Sequence, residues 1–209
     1  MKLAIFGGTG GVGSRLVPMA LEAGHSVTAF ARNPATLPKH PALNAVQGEL
    51  GDFAAVSAAI AGKDAVLCTL GARTNTPDQV VAFGTALENI TRAMSAHGVK
   101  RLVSISGAGV LLPEDQVTFG RRLVRSILML ATKHVALSKE REAEIIRASG
   151  LDWVLVRPPR IVAGAATGKY RVFPDRVPSS KISQGDVAHL ILQCATGDEW
   201  VRRAPIPGY

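Results

Sequence analysis

Apolar residues come in short unbroken runs through the first half of the chain, each followed by a stretch with helical spacing. Leu3–Phe6, Ser26–Ala31, Asn44–Gln47, Ala65–Thr69 and Arg101–Ile105 are such runs. Strands buried on both faces look like this, because neither side of the sheet meets water. Between them lie Val12–Ala23, Asp52–Ala61 and Gln79–His97, where apolar positions recur with a helical period. Asp52 stands where an N-cap belongs, and Gly24, Gly62 and Gly98 stand where C-terminal caps belong. Repeated strand–helix–strand units of this kind predict an α/β fold: a Rossmann-type, doubly wound parallel sheet. Its ligand should lie beyond the carboxyl ends of the strands.

The second half is less regular. Glu114–Ser149 is mostly helical in composition, and Leu151–Val156 supplies a sixth strand. Pro158 and Pro159 then break the chain. Gly164–Gly168 reads as a loop, Lys169–Phe173 as a short strand and Gln184–Thr196 as a last helix. No repeat, low-complexity tract or long linker interrupts the 209 residues. One domain spanning 1–209 is expected, with the cofactor loop in its N-terminal half and substrate-side elements in its C-terminal half.

Composition narrows the possibilities. No segment approaches the ~20 apolar residues needed to cross a bilayer, and no signal-peptide cleavage region follows Met1. Cys68 and Cys194 are too few for a disulfide framework and lack metal-ligand spacing, so no metal is expected. Reduced, packed thiols suit a cytoplasmic protein. The net charge of +8 comes without a zinc-finger or RNA-recognition motif, and its charges are scattered except at Arg121, Arg122 and Arg125. A basic balance can mean nucleic acid, anionic lipid or an anionic small molecule, and without a reading motif nucleic acid is disfavoured. Nothing in the sequence predicts more than a monomer or a weak homo-oligomer.

The sharpest chemical signal is Gly7-Gly8-Thr9-Gly10-Gly11-Val12-Gly13, which follows a strand and opens a helix. Gly7 allows a sharp turn, Gly10 lets backbone approach a pyrophosphate, and Gly13 lets helix pack closely on strand. The helix N-terminus offers unpaired N–H groups to the phosphates. NAD-preferring sites place a carboxylate near the end of the second strand, for the ribose 2′-hydroxyl. Here that strand ends Phe30-Ala31-Arg32-Asn33, and no acid lies between Glu22 and Glu49. The guanidinium of Arg32 can grip a 2′-phosphate in a bidentate fork. NADP(H) is the expected cofactor.

These residues, with Leu70-Gly71-Ala72-Arg73, Ala96-His97-Gly98-Val99, Ser149-Gly150-Leu151, Pro158-Pro159-Arg160-Ile161, Thr167-Gly168-Lys169-Tyr170 and the tail from Ile182 to Tyr209, resemble the atypical short-chain dehydrogenases. Within that group the likeness is to the NADPH-dependent flavin reductases of the biliverdin-IXβ reductase type. The resemblance implies that Thr9, Gly10, Gly11 and Val12 line the pyrophosphate. Arg32 and Thr36 would meet the 2′-phosphate, with Glu49 and Leu50 near the adenine. Leu70, Gly71, Ala72 and Arg73 would border the phosphates and nicotinamide ribose, with Phe83 nearby. Ile105, Lys139, Pro159, Arg160 and Ile161 would surround the nicotinamide.

Three departures bear on the chemistry. The Tyr-x-x-x-Lys pair of ordinary short-chain dehydrogenases falls on Val135 and Lys139, so the proton-donating tyrosine is absent while Lys139 remains for the ribose hydroxyls. The family's active-site serine falls on Gly107, with Ser106 one residue early. The histidine after the two prolines is Arg160, and His134 is expected to be structural. Without a positioned proton donor, an isolated carbonyl is a poor acceptor. A flavin such as FMN, or a quinone, spreads the charge over a ring and asks less of the protein. Arg160 could stabilise that charge. The basic, apolar run from Phe119 to Leu130 is open to three readings: a lid whose arginines meet a flavin phosphate, an amphipathic membrane-surface helix, or a partly buried helix with a solvated arginine edge. NmrA-like relatives that bind NADP without turnover, as redox sensors, fit the missing tyrosine too. A sugar-nucleotide epimerase, which needs the Tyr-x-x-x-Lys pair, fits poorly.

Overall fold

The computed structural model describes residues 1–72 and 74–209, apart from the side chains of Arg121 and Val124. Six parallel strands form the central sheet: β1 (Lys2–Phe6), β2 (Ser26–Ala31), β3 (Leu43–Gln47), β4 (Ala65–Cys68), β5 (Arg101–Ile105) and β6 (Asp152–Val156). Their order is β3-β2-β1-β4-β5-β6, the doubly wound Rossmann arrangement. The direction of winding reverses between β1 and β4, which opens a crevice at their carboxyl ends.

Side chains alternate across the sheet and so feed two cores. Leu3 and Ile5 of β1 meet α1 (Gly13–Glu22) through Leu16 and Val17, and α6 (Gln184–Thr196) through Val187 and Ile191. Ala4 and Phe6 join the opposite core, with Val56 of α2 (Phe53–Ile60), Leu87 of α3 (Pro77–Ala96) and Ile146 of α5 (Lys133–Ala148). Asp52 caps α2, its carboxylate accepting from Ala55 N at 3.2 Å. Gly24, Gly62 and Gly98 follow their helices with φ of 79°, 68° and 68°, the left-handed geometry of a C-terminal cap. Among the described residues no helix is long and apolar enough to cross a membrane.

The stretch expected to be helical from Glu114 to Ser149 is two helices, α4 (Phe119–Ala131) and α5. Neither Gly nor Pro breaks it. Asn75, from the loop after β4, does so with one side chain. Its Oδ1 accepts from His134 N at 2.8 Å and Val135 N at 3.3 Å, while its Nδ2 donates to Ala131 O at 3.5 Å. Free groups at the end of one helix and the start of the next are thereby satisfied together.

Beyond β6 the chain builds small pairings absent from the sequence reading. β7 (Arg160–Val162) runs parallel to β9 (Lys181–Ser183), and β8 (Arg171–Phe173) antiparallel to β10 (Ile206–Gly208). The expected strand from Lys169 thus starts two residues later. Arg157 is fully buried and holds this region to the sheet. It donates to both carboxylate oxygens of Asp115 at 2.6 and 2.7 Å, and to the carbonyls of Ala204 and Val110 at 3.0 Å each.

Asp186, also buried, ties the Thr167 loop and the C-terminus to the start of α6. It accepts from Thr167 N at 2.7 Å, Gly168 N at 2.9 Å, the Thr167 hydroxyl at 2.9 Å and the Tyr209 hydroxyl at 2.7 Å. Burial alone would raise its pKa, but these donors prevail and hold it near 2. A carboxylate whose folded pKa lies below its unfolded value stabilises above the unfolded value and loses that contribution as pH falls. The chain should therefore lose about 2 kcal/mol between roughly pH 4 and pH 2 through this residue. Chemical denaturation of Asp186→Asn across that window should show a flatter acid limb than wild type. Identical limbs would remove Asp186 as the acid-sensitive group.

Candidate active site

The glycine turn sits at the crevice. Gly7 adopts φ +87°, Gly10 N donates to Gly7 O at 2.9 Å, and a Cβ on Gly13 would collide with that same carbonyl. Only glycine lets α1 start this close to β1. Val12 at the start of α1 provides no side-chain cap, and no acid occupies the first turn. The free N–H groups and the positive end of the helix dipole are left for an anion. Gly10 and Gly11 are exposed there, while the Val12 side chain is buried in the α1 core. The Gln184 side chain, at the start of α6, reaches across to Gly11.

From this turn a cleft of about 350 Å³ runs along the carboxyl ends of β1, β2 and β4. Of the sequence candidates, Gly7, Thr9, Arg32, Glu49, Leu50, Leu70, Gly71 and Phe83 form its walls, joined by Phe30, Gly48 and Gln79. Arg32 is exposed just past β2. Asn33 follows and caps a short turn at Pro34–Thr36 by accepting from Ala35 N at 3.1 Å, which carries Thr36 away at the surface. The Glu49–Leu50 wall is fixed from α3, where Asn89 Nδ2 donates to Leu50 O at 2.9 Å and Gly51 O at 3.3 Å.

At the other end of the crevice, between β4 and β5, lies Lys139. Its ammonium donates to Leu70 O at 3.1 Å, Ile105 O at 2.7 Å and Glu142 Oε2 at 3.0 Å, and stands 4.8 Å from the centre of the Phe83 ring. All three N–H bonds are engaged, so a contact with a ribose hydroxyl requires exchanging one of them. Glu142 is fully buried, and its other oxygen accepts from Ser104 Oγ at 2.8 Å. Burial pushes its carboxyl up, opposed by the Lys139 charge and these hydrogen bonds. Ser106 is also buried, its hydroxyl close enough to Glu142 to help lower that carboxyl's pKa but without a hydrogen bond of ordinary geometry. Cys68 lies beneath, and burial pushes its thiol up to about 11.

The remaining candidates stand around this end. The Ile105 side chain is buried and only its carbonyl faces Lys139. Val135, Gly107 and Ala72 are half-buried. Pro159, Arg160 and Ile161 follow the carboxyl end of β6. Pro159 and Ile161 are half-buried, whereas Arg160 is exposed and its guanidinium has no partner among the described residues. Arg73 lies outside the described residues. His134 packs against the loop after β4, its ring Nδ1 3.1 Å from Asn75 O. The lid reading gains nothing from Arg125, which is held by Glu140 at 2.6 Å rather than left for a phosphate. Glu142, Asn75, Asn89 and Gln184 escaped the sequence reading, although Lys139 and Glu142 have the i, i+3 spacing of a helical ion pair.

Residues 7–198 match the model of the NAD(P)H-binding family. The chain belongs to the NAD(P)H-binding family. Among its relatives is a 3-beta-hydroxysteroid dehydrogenase of Mycolicibacterium neoaurum, 32% identical over 57% of this chain and 35% of the relative. A (4-alkanoyl-5-oxo-2,5-dihydrofuran-3-yl)methyl phosphate reductase of Streptomyces griseus is 27% identical over 93% of this chain and 63% of its own length. The chain spans about a third to a half of the dehydrogenases it matches. A short-chain dehydrogenase/reductase of Veillonella parvula, solved with NADP, shares the fold at a TM-score of 0.83, with 17% identity, over 100% of this chain and 94% of that one. Membership of the NAD(P)H-binding family accounts for the glycine turn and the switch-point cleft.

Removing Lys139 should leave the Glu142 carboxylate buried without its cation. Lys139→Met is expected to cost about 3 kcal/mol of stability near pH 8, measured by denaturant unfolding. Glu142 then has a still higher folded pKa, so the loss should shrink as the pH falls toward the ordinary carboxylate value. Adding Glu142→Gln should recover part of it. A Lys139→Met protein as stable as wild type at both pH values would contradict this pairing.

Proposed function

We propose that the chain is an NADPH-preferring reductase whose acceptor is a conjugated ring such as a flavin or a quinone. The observation that carries this reading is the pairing of Arg32 on the cleft wall past β2 with Val135 in the tyrosine position beside a fully engaged Lys139. The first supports recognition of a 2′-phosphate, and the second leaves no positioned proton donor for an isolated carbonyl.

The pyrophosphate would take the N–H groups around Thr9–Val12, with Arg32 on the 2′-phosphate and Glu49 and Leu50 beside the adenine. Ala72, Pro159 and Ile161 would border the nicotinamide ribose and ring. NADPH supplies a hydride when bound. This chain's part is to hold donor and acceptor face to face at the carboxyl ends of β5 and β6. The exposed guanidinium of Arg160 would offset charge developing on the acceptor, and solvent would deliver the proton. Ser106, buried at this end beside Glu142, would offer its hydroxyl to the bound ligand. The Streptomyces relative is named for an unsaturated oxo-dihydrofuran, itself a delocalised acceptor. A cofactor-binding sensor without turnover is the second reading, favoured by the same missing tyrosine.

Two measurements on one preparation test this. NADPH should bind tighter than NADH, and Arg32→Ala should weaken NADPH by on the order of 2 kcal/mol, about thirtyfold, with little effect on NADH. NADPH oxidation should proceed with FMN, riboflavin or a quinone and hardly at all with simple aldehydes. Arg160→Ala should slow that turnover by roughly ten- to a hundredfold. Equal affinities for the two cofactors would remove the 2′-phosphate argument. Tight NADPH binding with no acceptor reduced would favour the sensor.

A further inference from the structure

α4 shows a face of large apolar residues to solvent. Phe119, Leu123, Ile127 and Leu130 recur at helical spacing and so share one face. That face looks into solvent: the four residues are 81%, 51%, 54% and 88% exposed. The half-buried Arg125 and Met129 are turned toward the body, where Arg125 pairs with Glu140 of α5. A helix on the surface of a globular protein ordinarily buries its apolar stripe and hydrates the other side. A contiguous exposed stripe of large apolar residues marks a surface that is covered in use.

Charge decides what covers it. Phe119–Ala131 carries arginines at 121, 122 and 125 and no Asp or Glu, Lys133 follows after Thr132, and the chain as a whole has a net charge of +8. A second copy would set two such cationic helices against each other, which like-charge repulsion opposes. Anionic lipid headgroups would complement them. We propose that α4 docks on an anionic membrane surface, its apolar face in the acyl boundary and the exposed Arg122 and Lys133 reaching the headgroups.

The placement gives such docking a consequence. Leu128 of α4 lies against Gly109, in the loop after β5, and Ala131 O accepts from Asn75, in the loop after β4. A bilayer under α4 would therefore sit beside the carboxyl-end crevice, where an apolar acceptor dissolved in lipid could reach it. The docking itself stands apart from the proposed reaction, since it needs neither cofactor nor acceptor.

Cosedimentation of the full chain with vesicles tests it. Vesicles of phosphatidylglycerol and phosphatidylcholine should bind the protein at low salt, with binding weakening as salt rises. Vesicles of phosphatidylcholine alone should bind little. Leu123→Ser with Ile127→Ser should reduce partitioning by about tenfold or more, and Arg122→Glu should reduce it on anionic vesicles. Both variants alter exposed positions, so circular dichroism and NADPH affinity should match wild type. The proposal is overturned if wild type ignores anionic vesicles at low salt, or if the variants bind as well as wild type. It is equally overturned if wild type is a dimer by light scattering that the double variant dissociates while vesicles remain unbound.

Discussion

The close approach of α1 to β1 is the constraint on which the rest depends. A side chain at Gly13 cannot coexist with the Gly7 carbonyl, so both positions are glycine for steric reasons before any ligand is considered. Their absence of bulk brings the N-terminus of α1 down onto the carboxyl end of β1, at the point where the strand order reverses. An uncapped helix end with free N–H groups in that position favours negative charge. The cleft toward Arg32 is the extension of the same geometry. A turn forced by packing is thereby also the feature that a dinucleotide phosphate would use.

The far end of the crevice is organised differently, by a buried ion pair. Lys139 joins the last carbonyl positions of β4 and β5 to the buried Glu142, which in turn holds Ser104 on β5. In short-chain dehydrogenases with Tyr-x-x-x-Lys, the lysine works beside the tyrosine. Here the ammonium is saturated by protein acceptors and joins the segment just past β4 to the end of β5. Arg157 does comparable work one strand further on, joining the loop after β5 to the C-terminal tail. Both clamps combine charge with burial, so neither tolerates losing one partner. Together they define a rigid floor on which chemistry would depend on donor–acceptor placement.

Five strands of the central sheet were legible because they are buried on both faces, where continuous apolar runs leave little ambiguity; β3, expected to be buried as well, is an edge strand with no buried residue. Ser26–Ala31 and Arg101–Ile105 have the same bounds in sequence and structure. The C-terminal strands β7, β9 and β10 were not legible. Each is three residues long, too short for a period, and Pro207 lies within β10. The break between α4 and α5 carries no local signal because its cause, Asn75, is more than fifty residues away in sequence. Arg157 likewise carried no signal in the sequence, because its partner Asp115 is distant along the chain. At the cleft, positions that act through backbone or strand ends were readable from the glycine pattern and Arg32. Glu142 and Asn89 were not, since their roles exist only once helices pack on the sheet.

The most direct test of this account is a crystal structure of the protein grown with NADP. The account predicts the pyrophosphate over the start of α1, the 2′-phosphate within hydrogen-bonding reach of Arg32, and the nicotinamide between Leu70 and Pro159 above Lys139. A cofactor bound elsewhere, or one at the glycine turn with its 2′-phosphate beyond the reach of Arg32, would contradict it.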